Sequence, residues 1–337
     1  MTNRRASAAP MSGEDRLIAR HFKPLALHPG ALGLTDDAAA LKVSAGHDLV
    51  LTTDAIVGGV HFLADDPSST IARKALRVNL SDLAAKGATP VGFLLTLALP
   101  RRFSDAWVAA FARALGEDAQ RYDCPLLGGD TVTTPGPVVV SIAAFGSLPA
   151  GSMVRRRGAQ VGDHVLVTGA IGDAALGLRL RKDRKVERRW GLARGDSDYL
   201  RRRYLVPEPR NALAFAIRKY ATAAMDVSDG LVGDLGKLCR ASDAAAEVDA
   251  ARVPVSAAAR KALQAEPRLL KTMLSGGDDY EIVCTVRPAK LPSFQAAARV
   301  IGLPVTAVGR IVSGVGATFR GADGRPMGFA RGSFSHF

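Results

Sequence analysis

The sequence is poor in cysteine, and its three cysteines, Cys124, Cys239 and Cys284, stand far apart. A disulfide framework or a zinc site needs paired or clustered cysteines, so this spacing argues against both. We expect reduced, buried thiols and a cytoplasmic protein. No apolar run approaches the ~20 residues that span a bilayer. The basic residues near the N-terminus precede no apolar core of the kind a secretory signal has, so we expect a disordered tail over residues 1–12.

Nucleotide-binding fingerprints are also missing. No segment matches G-x-x-x-x-G-K-[ST], and the segment 169–172 does not complete G-x-G-x-x-G. The net charge of +13 invites a nucleic-acid interpretation. However, helix-turn-helix, zinc-finger and aromatic RNA-binding signatures are absent. Much of the positive charge lies in a basic insert over 179–203, which we interpret as a solvated face; a basic nucleic-acid-binding protein is the alternative from another class.

The chain of 337 residues is longer than a domain with a single hydrophobic core usually is, which predicts two domains. A loop-like stretch after Leu148 suggests a division into 13–148 and 149–337. In the first part, apolar alternation predicts strands, and helical periodicity predicts two long helices capped by Ser68 and Ser104. Strands and helices follow one another in the second part. We therefore expect an α+β domain followed by an α/β domain.

Aspartates recur directly beside apolar or glycine-rich segments of the sequence. These candidates are Asp36, Asp37, Asp54, Asp82, Asp130, Asp226, Asp229, Asp278 and Asp279. Grouped carboxylates repel one another unless a hard cation neutralises them, and oxygen ligands favour Mg²⁺ or Ca²⁺ over zinc. We interpret Thr52-Thr53-Asp54 as the end of an apolar strand, where open α/β sheets carry their chemistry. For each acid alone, a turn, a helix cap or a surface position is the alternative.

Glycine pairs precede two of these acids, at Gly128-Gly129 and Gly276-Gly277. Without a Cβ in the way, their backbone N–H groups can approach a phosphate, although a tight turn is the alternative. Mg²⁺ is usually shared with substrate phosphates, so the acids and the glycines fit one kind of ligand. His61 is a substrate contact or a structural residue, and Ser228 holds a phosphate or caps the next helix.

Several motifs, in this order, resemble one known family. They are Thr35-Asp36-Asp37, Thr52-Thr53-Asp54 with Gly59-Val60-His61-Phe62, Asn79-Leu80-Ser81-Asp82, Gly128-Gly129-Asp130, Asp226-Val227-Ser228-Asp229-Gly230 and Ser275-Gly276-Gly277-Asp278-Asp279-Tyr280-Glu281. Over nearly its whole length the chain resembles thiamine-monophosphate kinases, within the aminoimidazole-ribonucleotide-synthetase-like superfamily. The resemblance implies a two-domain α+β / α/β, PurM-like fold. Its N-terminal mixed-sheet domain would bind ATP and Mg²⁺ and form a homodimer through its sheet, and an α/β domain would follow.

The resemblance also implies an activity, the ATP-dependent phosphorylation of thiamine monophosphate to thiamine diphosphate. Positions that match magnesium ligands are Asp37, Thr52, Thr53, Asp54, Asp82, Asp130, Asp226 and Asp229. Positions that match ATP contacts are Gly129, Asp130, Arg156 and Ser228, and those that match thiamine contacts are His61, Asp278 and Phe334. We expect no catalytic base beyond these metal and phosphate ligands, because a phosphate monoester with a second pKa near ~6 is already a dianion at neutral pH.

Some positions depart from the family pattern. Asp278 stands where the family usually has Glu, and Thr35 replaces a usual Gly. Arg156 is matched by its distance from the glycine that follows, so Arg155 or Arg157 can take its place. Another ATP-using member of the superfamily, a selenophosphate or an aminoimidazole ribonucleotide synthetase, is the alternative function. Selenophosphate synthetases usually carry a reactive Cys near the N-terminus, and residues 1–35 contain none. We expect neither a membrane nor a nucleic-acid partner.

Overall fold

The computed structural model of the chain describes residues 12–330 and 332–333. The tail expected over 1–12 therefore falls almost wholly outside the described residues, and so does the substrate candidate Phe334. Two β-sheets organise the fold, one of four strands within 47–149 and one of six strands within 164–320. The exact domain boundary stays a prediction. Among the described helices, none combines the length and the apolarity that crossing a membrane requires.

The first sheet is mixed and is covered by helices on one face. Its strands are β1 (His47–Val57), β2 (Thr89–Pro100), β3 (Leu126–Thr134) and β4 (Val139–Pro149). They lie in the order β1-β4-β2-β3, with β2 and β3 parallel and the other pairs antiparallel. The accompanying helices are α1 (Gly13–Leu17), α2 (Ser68–Ala85) and α3 (Asp105–Arg121). Apolar residues of α2 at helical spacing, such as Leu76, Leu80 and Leu83, pack into the core beneath the sheet.

The second sheet is mixed as well. Its strands are β5 (His164–Thr168), β6 (Ala221–Val227), β7 (Ala245–Asp249), β8 (Glu281–Val286), β9 (Val305–Val312) and β10 (Gly316–Arg320). They lie in the order β10-β7-β9-β5-β8-β6, in which β10 and β7 are parallel and the other pairs antiparallel. Its helices are α4 (Asp173–Lys182), α5 (Lys185–Arg189), α6 (Arg194–Leu205), α7 (Ala214–Tyr220), α8 (Leu231–Ala241), α9 (Ala257–Ala265), α10 (Leu269–Ser275) and α11 (Leu291–Val300). Every residue of β8 is buried, as expected of an interior strand with both faces covered.

The two long helices predicted for the first domain are confirmed as α2 and α3. Helix α3 begins as predicted, because the Ser104 hydroxyl accepts a hydrogen bond from the Trp107 N–H at 3.0 Å. The predicted serine cap on α2 is wrong. Pro67 occupies that capping position, and no side chain caps the helix.

The motif predicted at a strand end, Thr52-Thr53-Asp54, and the glycine pair for which a tight turn is the alternative, Gly128-Gly129, both lie inside strands. Strand β1 continues past Asp54 because its pairing with β4 runs on to Val57. Likewise β3 runs through the Gly-Gly-Asp motif. A Cβ on Gly129 would lie 1.9 Å from the Leu95 carbonyl oxygen of the neighbouring strand, so close strand pairing accounts for this glycine.

Helix α2 is shared by both domains. Midway along it, the buried Arg77 donates to the Pro207 carbonyl oxygen at 2.9 Å. Just beyond its end, Lys86 Nζ donates to the Ala224 carbonyl oxygen of β6 at 2.8 Å. Its last residue, Ala85, packs in a cluster formed mainly by residues of the second domain. The C-terminal end of α2 therefore lies at the boundary between the two sheets.

The basic insert forms α5, α6 and the end of α4. Exposed residues such as Arg184 and Arg188 agree with the solvated face that we expected. That interpretation is wrong for Arg203, which is buried and ion-paired with Glu281 at 3.0 Å. It is also incomplete for Arg181, which pairs with Asp66 at 2.6 Å. Part of the insert is thus structural.

Candidate active site

Strand β1 and helix α2 build one wall of a cleft. Thr52 and Asp54 lie two positions apart on β1, so both side chains point towards α2, whereas Thr53 points to the opposite face. The Thr52 hydroxyl donates to Asp82 Oδ2 at 2.6 Å. The Asp54 N–H donates to Asn79 Oδ1 at 3.0 Å. These contacts hold Asp54 and Asp82 side by side.

The end of β6 and the start of α8 build the other wall. Asp226, the second-last residue of β6 and paired with Ile282 of β8, is only 4% exposed. Asp234 accepts hydrogen bonds from the N–H groups of Asp229 at 2.9 Å and Gly230 at 3.2 Å. Lys237 Nζ contacts Asp229 Oδ2 at 2.5 Å. The Asp234 carboxylate therefore accepts the hydrogen bonds of the backbone N–H groups that precede α8. The carboxylates of Asp226 and Asp229 are not used for this purpose.

The Ser228 segment packs against the second glycine pair. Ser228 does not cap α8, because Gly230 occupies the N-cap position without a side-chain cap. The Asp278 N–H donates to the Ser228 carbonyl oxygen at 2.8 Å. A Cβ on Gly277 would lie 2.4 Å from that same oxygen. Gly277 therefore permits the close approach of these two loops, which explains the glycine without an anion.

The acids of the two walls act on one another. Loss of water in the cleft, and then the charges of Asp82 and Asp229, raise the pKa of Asp54 to about 6. Burial, and then the charges of Asp82 and Asp234, raise the pKa of Asp226 well above its usual range. Carboxyl groups whose pKa values rise beside other carboxylates lack compensating positive charge. A cation bound in this cleft would supply that charge.

Two basic side chains of the chain itself reach the same region. Burial, and then the charge of Arg156, lower the pKa of Lys86 to about 8, while Asp226 and Asp82 act in the opposite direction. Arg156 therefore lies close enough to the cleft for its charge to be felt there. The choice of Arg156 within the run 155–157 and its contact with ATP both stay predictions.

The donor atoms of the cleft fit a magnesium ion. Within 12–330 and 332–333, no three His, Cys, Asp or Glu side chains stand close enough together to hold one metal ion. Mg²⁺ does not require such a cage, because it is usually held by one or two carboxylates, several waters and substrate phosphates. The carboxylates of Asp54, Asp82 and Asp226 and the hydroxyl of Thr52 are hard oxygen donors of this kind. The ligand set itself stays a prediction.

A pocket of about 970 Å³ lies against the uncovered face of the first sheet. The segment 31–41 and sheet residues such as Leu49 and Phe145 enclose it. Asp37, Gly129 and Asp130 all line this pocket, so the structure brings these three candidates together. Its lining combines apolar side chains with a few carboxylates, as is typical of pockets that bind small molecules.

The substrate candidates His61 and Asp278 are joined by a lysine that the sequence did not single out. Lys74 Nζ donates to the His61 carbonyl oxygen at 2.9 Å and lies 3.0 Å from Asp278 Oδ1. The Val57 N–H donates to His61 Nδ1 at 3.0 Å. No signal in the sequence separates Lys74 from its neighbour Arg73 on the same helix.

Asp279 and Glu281 have structural partners. Asp279 accepts the backbone N–H of Gly172 at 2.6 Å and thereby orients the turn that opens α4. Glu281 accepts a hydrogen bond from Thr168 at 2.7 Å and pairs with Arg203 and Arg210. The candidate Asp279 therefore supports the fold from inside the second domain.

Residues 35–148 match the family described as AIR synthase related protein, N-terminal domain, and residues 160–321 match its C-terminal domain. The chain is 45% identical over 326 residues to a thiamine-monophosphate kinase of Caulobacter vibrioides, a match that covers 95% of this chain and 90% of the relative. The chain belongs to the thiamine-monophosphate kinase family. The family resemblance of the motifs is thereby confirmed.

Solved structures of this family share the fold. The thiamine-monophosphate kinase of Stenotrophomonas maltophilia aligns with a TM-score of 0.81 and 39% identity, covering 93% of this chain and 96% of the other. AaThiL complexed with AMPPCP and TMP aligns with a TM-score of 0.75 and 29% identity, covering 90% and 91%. The predicted two-domain fold, with mixed sheets and helices in each domain, is confirmed.

Proposed function

We propose that this chain transfers a phosphoryl group from ATP to thiamine monophosphate and so forms thiamine diphosphate. The observation that carries the proposal is the acidic cleft between the two walls, where burial, and then the charges of Asp82 and Asp229, raise the pKa of Asp54 to about 6. Relatives named thiamine-monophosphate kinase and a relative complexed with AMPPCP and TMP support the choice of substrates. Free, buried cysteines accord with a cytoplasmic enzyme.

The cleft acids would hold Mg²⁺. We assign this role to Asp54, Asp82, Asp226 and Asp229, with the Thr52 hydroxyl beside them. Bound there, Mg²⁺ supplies positive charge that screens two anionic phosphates from each other. The residues of the chain meanwhile fix the donor oxygens: Thr52 orients Asp82, and Lys237 holds Asp229. Thr53 points away from α2, so any metal contact of Thr53 would lie on the side of the sheet that carries the nucleotide pocket.

ATP would occupy the pocket against the uncovered sheet face. Its apolar lining suits the adenine ring, and Asp37 and Asp130, which also line it, suit phosphates accompanied by Mg²⁺. Gly129, which lies in β3, lines the same pocket. Arg156 and the Ser228 segment, at the cleft, would contact the phosphate end of the nucleotide.

Thiamine monophosphate would enter from the side of His61 and Asp278. Its phosphate is already a dianion near neutral pH and needs no proton removed before it attacks. This suits a site rich in carboxylates, in which catalysis depends on alignment and charge screening. Phe334 is a further candidate for the thiamine ring and lies outside the described residues.

A homodimer would form through the uncovered face of the first sheet. That face presents exposed apolar side chains, including Leu51 at 63% exposure and Val132 at 43%. Exposed apolar side chains on a sheet face are typical of interfaces. Light scattering should give twice the monomer mass for the wild type and a monomer for Leu51→Asp. A monomeric wild type at micromolar concentration would rule the dimer out.

The activity is tested by incubating the purified protein with ATP, Mg²⁺ and thiamine monophosphate and separating the thiamine species by chromatography. We expect thiamine diphosphate and one ADP per product, both abolished by EDTA and restored by excess Mg²⁺. If folded protein that binds ATP forms no thiamine diphosphate, the assigned substrate is wrong. Product formation that persists in EDTA would contradict the metal assignment alone.

A further inference from the structure

Lys74 occupies an unusual place for a lysine. It lies in the middle of α2, and its side chain is only 2% exposed. A buried ammonium group is costly unless charged or polar partners surround it. Its partners come from three other segments of the chain, so Lys74 connects parts of the molecule that are distant in sequence.

The first partner is the loop that carries His61. Lys74 Nζ donates to the His61 carbonyl oxygen at 2.9 Å, and the Tyr204 hydroxyl donates to the same oxygen at 3.3 Å. The ammonium also lies 4.1 Å from the centroid of the Tyr204 ring, which adds a cation–π contact. The backbone of this loop is therefore fixed from both domains.

The second partner is the carboxylate of Asp278. Lys74 Nζ lies 3.0 Å from Asp278 Oδ1, while the Asp278 N–H is held by the Ser228 carbonyl oxygen at 2.8 Å. The Asp278 side chain is 24% exposed, so it faces open space. Among the described residues, Asp278 Oδ2 has no hydrogen-bond partner, which leaves that oxygen available to a ligand.

The Asp278 backbone depends on this support. Its φ of 72° lies in the left-handed region, which costs a non-glycine residue free energy unless its surroundings hold it there. With its N–H bound to Ser228 and its Oδ1 bound to Lys74, the residue is held at both ends. The carboxylate therefore has one fixed direction.

We propose that Lys74 is a positioning residue that sets the distance between His61 and Asp278 and aims Asp278 Oδ2 at the thiamine part of the substrate. The inference rests on the proposed function. Thiamine carries a cationic thiazolium ring and an aminopyrimidine with N–H donors, and one carboxylate oxygen can accept or pair with either. Lys74 itself, engaged by Oδ1 and by the His61 carbonyl oxygen, does not contact the substrate.

The test measures steady-state constants for Lys74→Met, which keeps the length of the side chain and removes its charge. We expect the KM for thiamine monophosphate to rise about 10-fold or more, because the carboxylate loses its direction, while the KM for ATP changes less than about 2-fold. A purely structural role would shift both constants together. Arg73→Met is the matched control, since Arg73 lies on the same helix and pairs with Glu117 and Asp118.

A double-mutant cycle sharpens the test. If Lys74 acts through Asp278, then Lys74→Met adds less than about 2-fold to the KM of Asp278→Asn. Effects of the two changes that multiply independently would overturn the proposal. So would a folded Lys74→Met variant whose KM for thiamine monophosphate stays within about 2-fold of the wild type. If Lys74→Met does not fold, Lys74→Gln takes its place under the same criteria.

Wild-type turnover separates this inference from the proposed function. If the wild type converts thiamine monophosphate and only the Lys74 criteria fail, Lys74 has no positioning role and the function stands. If the wild type does not convert it, the proposed function fails and this inference fails with it.

Discussion

Two groups of carboxylates in this molecule differ in what neutralises them. In the cleft, Asp54 and Asp82 lie near enough to Asp226 for their charges to act on it. Burial, and then the charges of Asp82 and Asp229, raise the pKa of Asp54 to about 6. Inside the second domain, Glu281 is fully buried, yet Arg203, Arg210 and the Thr168 hydroxyl surround it. The first group is short of positive charge, whereas the second carries its own.

The presence or absence of partners within the chain separates ligand-binding acids from fold-stabilising acids more reliably than membership of a sequence motif does. Asp278 and Asp279 are neighbours in one motif, but Asp279 is bound by the N–H groups of Gly172 and Ala174. Asp278 pairs with Lys74 through Oδ1 only, and its side chain is 24% exposed. An acid whose partners all belong to the chain stabilises the fold, and an acid that lacks them is available to a ligand.

The largest effect should follow from removing a cleft carboxylate. Asp226→Asn keeps the size of the side chain and removes a charge that the bound cation would need. We expect turnover of thiamine monophosphate to fall about 1000-fold, the size typical of losing one group that stabilises developing charge. Thermal unfolding should show that the variant stays folded. Asp123→Asn, a change of an exposed acid outside the cleft, is the control and should keep its turnover.

A buried carboxylate of the other group should affect stability first. Glu281→Gln leaves Arg203 and Arg210 buried with an uncharged partner, which should cost about 3 kcal/mol of unfolding free energy. Urea denaturation measures this loss. Glu247→Gln, which breaks an exposed pair with Arg320, should cost less than about 0.5 kcal/mol. Equal unfolding free energies for Glu281→Gln and Glu247→Gln would contradict the claim that Glu281 stabilises the fold through its buried arginine partners.

The smallest effect concerns pH in the metal-free protein. The pKa of Asp54 is about 6 in the folded chain and near ~3.9 in an unfolded one, so the folded state holds more protons between these values. The stability that Asp54 contributes is fully present below about pH 4 and is lost as the pH rises through about 6. After allowance for screening by water, Asp54→Asn should stabilise the EDTA-treated protein by about 1 kcal/mol at pH 8. No gain should appear at pH 4, and a gain of equal size at both pH values would contradict the cause assigned here.

Local patterns in the sequence predicted the long helices well. Helix α3 follows a serine cap and apolar spacing, and both signals are local. The positions of Thr53 and Gly129 within strands were not predictable, since they depend on pairing with β4 and β2. The structural role of Glu281 depends on Arg203 and Arg210, which lie 78 and 71 residues away in the sequence.

The candidate site also has one part that the sequence predicts and one part that depends on tertiary contacts. The family resemblance predicted which acids belong to the site. The structure brings two of them, Asp54 and Asp82, together through β1 and α2. Lys74 was missed because burial, which distinguishes it from Arg73, appears only once the helix is packed against both domains. Sequence patterns name the residue types, and tertiary contacts decide which of them remain without a partner.

The most direct test of this account is calorimetric titration of Mg²⁺ into the metal-free wild type and into Asp54→Asn and Asp226→Asn. If the cleft acids bind the cation, the wild type binds Mg²⁺ and each substitution weakens this binding at least about 10-fold. Glu247→Gln should bind as the wild type does. Equal binding by all four proteins would place the cation elsewhere and contradict the account.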